Sequence, residues 1–520
     1  MKSSISNLQS PFLLGIDVGT TGAKVLLIDA SGAVVSESEH EYPMSAPQPL
    51  WAEQNPEDWW NTVVAGIRSV LARTGTRRRI VSPLPRQIAA IGLTGQMHGL
   101  VLLGAKGDVL RPCIMWNDQR SAPQCKVMTE RIGATRVLEL TGNPILPGFT
   151  APKIAWVQEH EPAIFSRIAT VLLPKDYIRY RLTGQYLSEV SDASGTSLFD
   201  VARRTWSAEM LRAFKVKRPW LPEVTESPVP SAQVSAAAAR VTGLLEGTLV
   251  VGGAGDQAAG AVGTGAISDG IISVVIGTSG VVFAACREYQ REPRGLLHAF
   301  CHAAPGMWHL MGVMLAAGGS LRWCRDVLFK ESDPYHRLNA AAARAPAGSA
   351  GLLFLPYLSG ERTPYPDPDA RGVFFGLNLK HTREHLTRAV LEGVSFGLRD
   401  SLELIMNLRV PVRQIRLVGG GARSPLWRQI LADILEQPVF TVNHAQGAAF
   451  GAALLAGVGA GIFVSVEDAC TKTIQATEAA APGQDAETYR RYYPRYRALY
   501  AALKDEFKAL ADLTGSACKQ

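Results

Sequence analysis

Apolar runs broken by small, polar, glycine-rich turns set the pattern of the chain's first segment. In GIDVGTTGAKVLLID, residues 15–29, two such runs flank the turn Gly19-Thr20-Thr21-Gly22, and DASG interrupts the next. From Phe12 to Val35 this spacing predicts three short strands joined by hairpins. The stretch EQNPEDWWNTVVAGIRSVL then reads as a helix, with Asn55 as its N-cap, Pro56 at the first helical position and Asp58 completing a capping-box-like pair. IAAIGLTGQMHGL and CIMWNDQR are each an apolar strand running into a polar loop, and LPKDYIRYRLTG is a short amphipathic helix stopped by Gly184.

Near residue 247 the pattern restarts. TLVVGGAGDQAAGAVG is strand, glycine-rich turn and helix, and SVVIGTSGVVFAA at 273–285 repeats the first hairpin. Laid over one another, Gly277-Thr278-Ser279-Gly280 matches the first turn, and Val275 stands where the first copy has Asp17. IRLVGGGARSPLWRQILADIL is again strand, glycine turn and helix, followed by an Ala/Gly-rich helix and a charged, Tyr-rich helical tail. Alternating strands and helices predict α/β layers. The repeated hairpin predicts two related halves. The expected domains are residues 1–252 and 253–457, with a helical tail at 458–520.

A Gly/Thr/Ser turn between two strands turns several N–H groups and hydroxyls onto one concave surface, which suits a phosphate oxygen. One such turn is weak evidence; two, in matching halves, are placed to embrace a triphosphate. Composition narrows the field. At 520 residues the chain is too long for one core. Its apolar stretches stop short of a membrane span, and the N-terminus lacks a signal-peptide core, so the expected location is cytoplasmic. Seven cysteines form no CxxC pair, which argues against a disulfide framework or structural zinc. The net charge of +7 has one compact basic run, RTGTRRR at 73–79, without interleaved aromatics. That run reads as a solvated loop, and the charge fits a small phosphorylated ligand as well as it fits nucleic acid.

The motifs GIDVGTTGAKV, LWAEQNPEDWW, GLTGQMHG, WNDQR, LLPKDYIRYRLTG, SDASGTS, GGAGDQAAGAVG, GTSG, FLPYLSGERTPYPD and VGGGARSPLWRQILAD together resemble the FGGY carbohydrate kinases. The resemblance spans residues 12 to about 460. It implies two duplicated domains of the actin/Hsp70/sugar-kinase (ribonuclease H-like) α/β fold around an interdomain cleft. It also implies an enzyme using ATP and Mg²⁺ to phosphorylate a small sugar, with no nucleic-acid or membrane partner and a homodimeric state. The substrate implied is a ketopentose, D-xylulose at O5, with ribulose, L-xylulose and polyols as alternatives.

By the same resemblance Asp256, in the GGxGD motif, is the general base; its position equally suits a cap for the helix that follows. Asp17 is the second catalytic carboxylate. A carboxylate beside a triphosphate repels it unless a cation intervenes, so Asp17 is expected to hold Mg²⁺ through water; the bland alternative is a hairpin hydrogen bond. One metal needs one such group, which accounts for Val275. Gln96, Met97 and His98, with Asp256 and Gln257, are the expected sugar contacts. Gln257 departs from the asparagine usual after the base. Thr20, Thr21, Gly277, Thr278, Gly420, Gly421 and Ala422 are the expected nucleotide contacts. Trp116, Asn117 and Asp118 are weaker sugar candidates, Trp323 is a loose nucleotide one, and Trp59-Trp60 read as packing. The rivals are a nucleotide-driven switch ATPase of the same superfold and a ribokinase-like kinase, which lacks paired phosphate hairpins. A Rossmann dehydrogenase is rejected, because the glycine spacing is wrong.

Overall fold

The structure, a computed structural model, describes residues 11–77, 84–329 and 334–517. The first ten residues, the Arg-rich run beyond Arg77 and Cys518 lie outside the described residues. Two mixed sheets organise the chain. In the first, β1 (Phe12–Val18), β2 (Gly22–Asp29) and β3 (Val34–Glu41) form an antiparallel meander; β4 (Ile88–Gly95) runs parallel to β1, and β5 (Leu249–Val251) parallel to β4. In the second, β6 (Ile271–Ile276), β7 (Gly280–Cys286) and β8 (Trp308–Met314) form the same meander, with β9 (Gln414–Val418) parallel to β6 and β10 (Val439–Val442) parallel to β9. The strand order is third, second, first, fourth, fifth in both. The expected duplication is therefore one of topology.

The helices that matter for the site are α1 (Pro56–Arg77), α2 (Asp256–Thr264), α3 (Gly318–Leu328), α4 (Arg383–Asn407), α5 (Pro425–Leu435), α6 (Gly447–Gly459) and α7 (Ala486–Ala517). Helix α1 starts where predicted: the Glu57 N–H donates to Asn55 Oδ1 at 3.1 Å. Its Trp59, Val63, Ile67 and Val70 recur at helical spacing and are fully buried in the core of the first sheet. Instead of a loop beginning at Arg73, the helix continues through Arg77.

The opposite face of the first sheet is covered by α6, from the second half of the chain. Gly15 and Gly92 are register partners on β1 and β4. A Cβ on Gly15 would lie 1.9 Å from the Ala449 carbonyl oxygen, and one on Gly92 1.8 Å from that of Ala452. The two glycines make the seat on which α6 lies. Helix α6 also crosses α2, where a Cβ on Gly451 would lie 1.8 Å from the Ala259 oxygen. Both strands thus pack on α6, and the cleft opens beside the crossing of α6 with α2.

The expected first domain ends after residue 252, inside the run that leads from β5 to α2. Ala254–Gly255 pairs with Thr94–Gly95 of β4, so the first sheet ends beyond it, and the second sheet begins at Ile271. Nor does the tail stand apart: Tyr489, Tyr493 and Tyr496 of α7 are buried with α4, α5 and the second sheet. Among the described residues the six cysteines are free and buried, and no helix is long and apolar enough to cross a membrane.

Candidate active site

The two hairpin turns are held differently. In the first, the Gly19 N–H donates to the Gly22 carbonyl at 3.0 Å. Gln54 Nε2 donates to the Thr20 carbonyl at 2.8 Å, and the Trp116 indole to Thr20 Oγ1 at 3.0 Å. Thr21 is exposed and accepts the Tyr42 N–H on its carbonyl. In the second, the Gly277 carbonyl accepts from the Gly318 N–H at 2.8 Å, and that of Thr278 from Ala317 and Gly319. The second turn is thus docked by its backbone onto the start of α3. The signal for this, the Ala-Ala-Gly-Gly run at 316–319, went unread in the sequence; a Cβ on Gly318 would lie 2.4 Å from the Gly277 oxygen.

Asp17 and Asp256 come together. Asp17, near the end of β1, and Asp256, the first residue of α2, line one cleft of about 590 Å³ with Gln257, Gly420, Ala422, Arg423 and His444. Burial, reinforced by the negative charge of Asp256, pushes Asp17 up to about 7. Burial also raises Asp256, to about 6, against the stabilising hydrogen bonds of the Gln257 N–H and side chain. Asp17 Oδ1 is buried without a hydrogen-bond partner, so the expected alternative of a hairpin hydrogen bond does not engage that oxygen.

A second cavity, of about 710 Å³, is lined by Gly277, Thr278, Arg322, Gly420, Gly421 and Arg423. The two cavities share Gly420 and Arg423. The glycine triplet divides its work. Gly419 has φ +88°, and a Cβ there would meet the Ile276 oxygen at 2.5 Å; one on Gly421 would meet Ile276 Cγ2 at 2.4 Å. Only Gly420 has open space where a Cβ would be, so it is the one that leaves its backbone accessible. Trp323 does not line this cavity; it stacks on Phe354 at 6.1 Å between ring centroids.

The QMHG loop leaves the C-terminal end of β4 beside Gly255. Gln96 is buried and donates from Nε2 to Gln54 Oε1 at 3.0 Å, leaving its own Oε1 unpartnered. Gln54, not singled out from the sequence, thereby joins this loop to Thr20. Met97 is buried against Gly255, where a Cβ would lie 2.9 Å from its Cγ and Sδ. His98 has φ +70°, an unusual conformation for a non-glycine residue. Its carbonyl is held by Lys153 Nζ at 2.9 Å and Thr150 Oγ1 at 3.1 Å. Its ring stacks on Phe149 at 4.5 Å, and Nδ1–H donates to the Gly195 carbonyl at 2.7 Å. Burial, aided by the positive charges of Lys153 and Arg362, lowers His98 to about 3, so the ring is neutral. With Nδ1 carrying the proton, Nε2 is left as an acceptor.

Of the weaker candidates, Asp118 is buried and bonded to Arg120 and the Ala52 N–H, and Asn117 is exposed to neither cavity. Trp116 supports Thr20. Trp59 and Trp60 are core, as expected. Among the described residues no group of three or more His, Cys, Asp or Glu side chains is arranged to hold a metal ion. A single orphaned carboxylate in the cleft suits a hard cation that keeps most of its water and is also held by phosphates.

Residues 12–263 match the N-terminal domain, and residues 272–460 the C-terminal domain, of the FGGY family of carbohydrate kinases. The chain is 42% identical to the xylulose kinase of Escherichia coli (strain K12) across 94% of its own length and 99% of the relative's. It is 38% identical to that of Bacillus subtilis (strain 168), covering 96% and 98%. The crystal structure of a xylulose kinase from Rhodospirillum rubrum superposes with a TM-score of 0.88 at 32% identity, covering 96% of this chain and all of that one.

Proposed function

Because the chain belongs to the FGGY family of carbohydrate kinases, we propose that it transfers the γ-phosphoryl group of ATP to the O5 hydroxyl of D-xylulose, with Asp256 as general base. The observation that carries this reading is the pairing of Asp256 with Asp17 in a cleft that adjoins a second, glycine-lined cavity at Gly420. The near-full-length likeness to xylulose kinases supports the choice of sugar.

Phosphoryl transfer asks mainly for positioning and neutralised charge. The sugar lies between the QMHG loop and Asp256, with His98 Nε2 accepting a hydrogen bond from a sugar hydroxyl and Gln257 donating one to a neighbouring oxygen. The Asp256 carboxylate takes the proton of O5 as that oxygen bonds to the γ-phosphorus and the bond to the β-phosphate oxygen breaks, releasing ADP. Adenosine and phosphates run through the cavity of Gly277, Thr278, Gly420 and Gly421 toward Ala422 in the adjoining cleft, and Thr20 and Thr21 of the first hairpin would meet the phosphates from the other half. Asp17 is the residue that would hold Mg²⁺, through water; when bound, the ion supplies charge neutralisation. Closure of the cleft keeps water from competing with O5.

The test is ADP release by the purified protein with Mg-ATP and a panel of pentuloses, hexuloses and polyols. Strong turnover with D-xylulose is expected; strong turnover with a different sugar alone would move the substrate and keep the chemistry. Real basal ATP hydrolysis with no stimulation by any sugar would instead favour the switch ATPase.

Two further outcomes follow. His98→Ala removes one acceptor from the sugar and is expected to raise the sugar KM by about 3- to 10-fold, the worth of one ordinary hydrogen bond. An unchanged KM across all sugars would take the loop out of the site. The base works only as a carboxylate, and burial holds Asp256 near 6. The sugar kcat/KM, which reports the free enzyme, is therefore expected to fall as pH drops from 7 through 6. A flat profile down to pH 5 would contradict that raised value.

A further inference from the structure

The SDASGTS motif has no part in the reaction just described, yet two contacts reach from it into the site and a third into the second sheet. Its helical turn, Val190–Ala193, begins at Glu189, whose buried carboxylate accepts the N–H groups of Ser191 and Asp192, each at 2.7 Å. The same carboxylate accepts Ser191 Oγ–H at 2.8 Å and Ser227 Oγ–H at 3.0 Å. With its proton committed to Glu189, Ser191 Oγ is left as an acceptor, and it takes the N–H of Gly255 at 3.0 Å. Gly255 is the residue before Asp256.

One turn further on, Ser194 Oγ donates to the Val190 carbonyl at 2.6 Å and accepts the Cys301 N–H at 3.0 Å. Cys301 ends the edge strand His298–Cys301 of the second sheet. Next to it, the Gly195 carbonyl takes His98 Nδ1–H. A Cβ on Gly195 would lie 2.3 Å from both Nδ1 and Cε1 of that ring. Residues 191, 194 and 195 thus touch the backbone of the base loop, a strand of the second sheet and the sugar-loop histidine. Beneath them Lys175 lies 3.6 Å from Asp192 and is bonded to Asp176, all fully buried.

We propose that this turn is the element that positions the reacting groups: Ser191 sets Asp256, Gly195 sets the His98 ring, and Glu189 fixes the turn. Ser191 is a positioning residue; its hydroxyl reaches the base only through Gly255. The proposal rests on the assignment of Asp256 as base and of His98 as a sugar contact. It gives Ser191 and Gly195 different kinetic signatures, which a scaffolding role would not. Ser191→Ala frees the base loop and is expected to lower kcat by about 10- to 100-fold, as a misplacement on the order of 1 Å does, with little change in sugar KM. Gly195→Ala displaces the ring and is expected to raise sugar KM by about 10-fold with the smaller effect on kcat, since a loosened contact is lost mainly from binding. Residues acting as one unit are non-additive, so Ser191→Ala should cost nothing further in an Asp256→Asn background, nor Gly195→Ala in a His98→Ala background.

Steady-state kinetics of the four single and two double variants, with thermal midpoints, tests this. A Ser191→Ala enzyme within about twofold of the parent kcat would overturn the proposal, twofold being only a few tenths of a kcal/mol. So would both turn variants losing kcat, both KM values and thermal midpoint together, which is the mark of mere scaffolding. Asp256→Asn with full turnover would sink the base assignment itself, whatever Ser191→Ala does.

Discussion

Asp256→Asn is expected to lower kcat by about 10²- to 10⁴-fold, the range for loss of a positioned general base. The substitution is nearly isosteric. An asparagine oxygen can still accept the N–H and side-chain bonds that Gln257 gives the carboxylate, so the start of α2 should keep its geometry. What is lost is the capacity to take a proton at neutral pH. Sugar affinity by calorimetry should therefore stay within a few-fold of the parent while turnover collapses. If turnover stayed close to the parent value, Asp256 would be a helix-capping residue and the base would lie elsewhere.

Gly451→Ala is expected to destabilise the protein by about 1–3 kcal/mol or more, the cost of overpacking a tight interior. The added Cβ would sit 1.8 Å from the Ala259 carbonyl oxygen and 2.9 Å from the Gly263 nitrogen. Both are backbone atoms of α2, so no side chain can swing aside. The helices must separate, and α2 begins with Asp256, so the displacement carries into the cleft. A drop in the thermal midpoint together with lower kcat is the expected result. Gly420→Ala is the control: φ there is −61°, and nothing lies within 4 Å of the new methyl group. It should leave the midpoint unchanged and weaken only nucleotide binding. Equal midpoints for both variants would mean that the helix crossing is looser than these distances imply.

Local chemistry in the sequence was enough for most of the secondary structure around the site. The hairpins at Gly19–Gly22 and Gly277–Gly280, the Asn55 cap and the Gly184 stop were legible because each depends on residues only a few positions apart. The duplication was legible for the same reason, since it repeats a local pattern. The family resemblance named Asp17, Asp256 and the QMHG loop, and the fold brings the two aspartates into one cleft. The supports were not legible: Gln54 bridges Gln96 to Thr20, Ser191 holds Gly255, and the Ala317–Gly319 run docks the second hairpin. Each is an ordinary polar or small residue, and its function lies in a partner far along the chain.

The boundary shows the same division. The restart of the pattern near residue 247 suggested a division after residue 252, and Ala254–Gly255 beyond it still pairs with β4. The sequence by itself determined the apolar periods, the turns and the inventory of chemical groups, because these follow from backbone preferences and side-chain type. Only the tertiary structure decided which glycine leaves its backbone open, which seats a helix and which carboxylate loses its partners. Those properties are set by burial and by approach distances between segments, which no local pattern encodes.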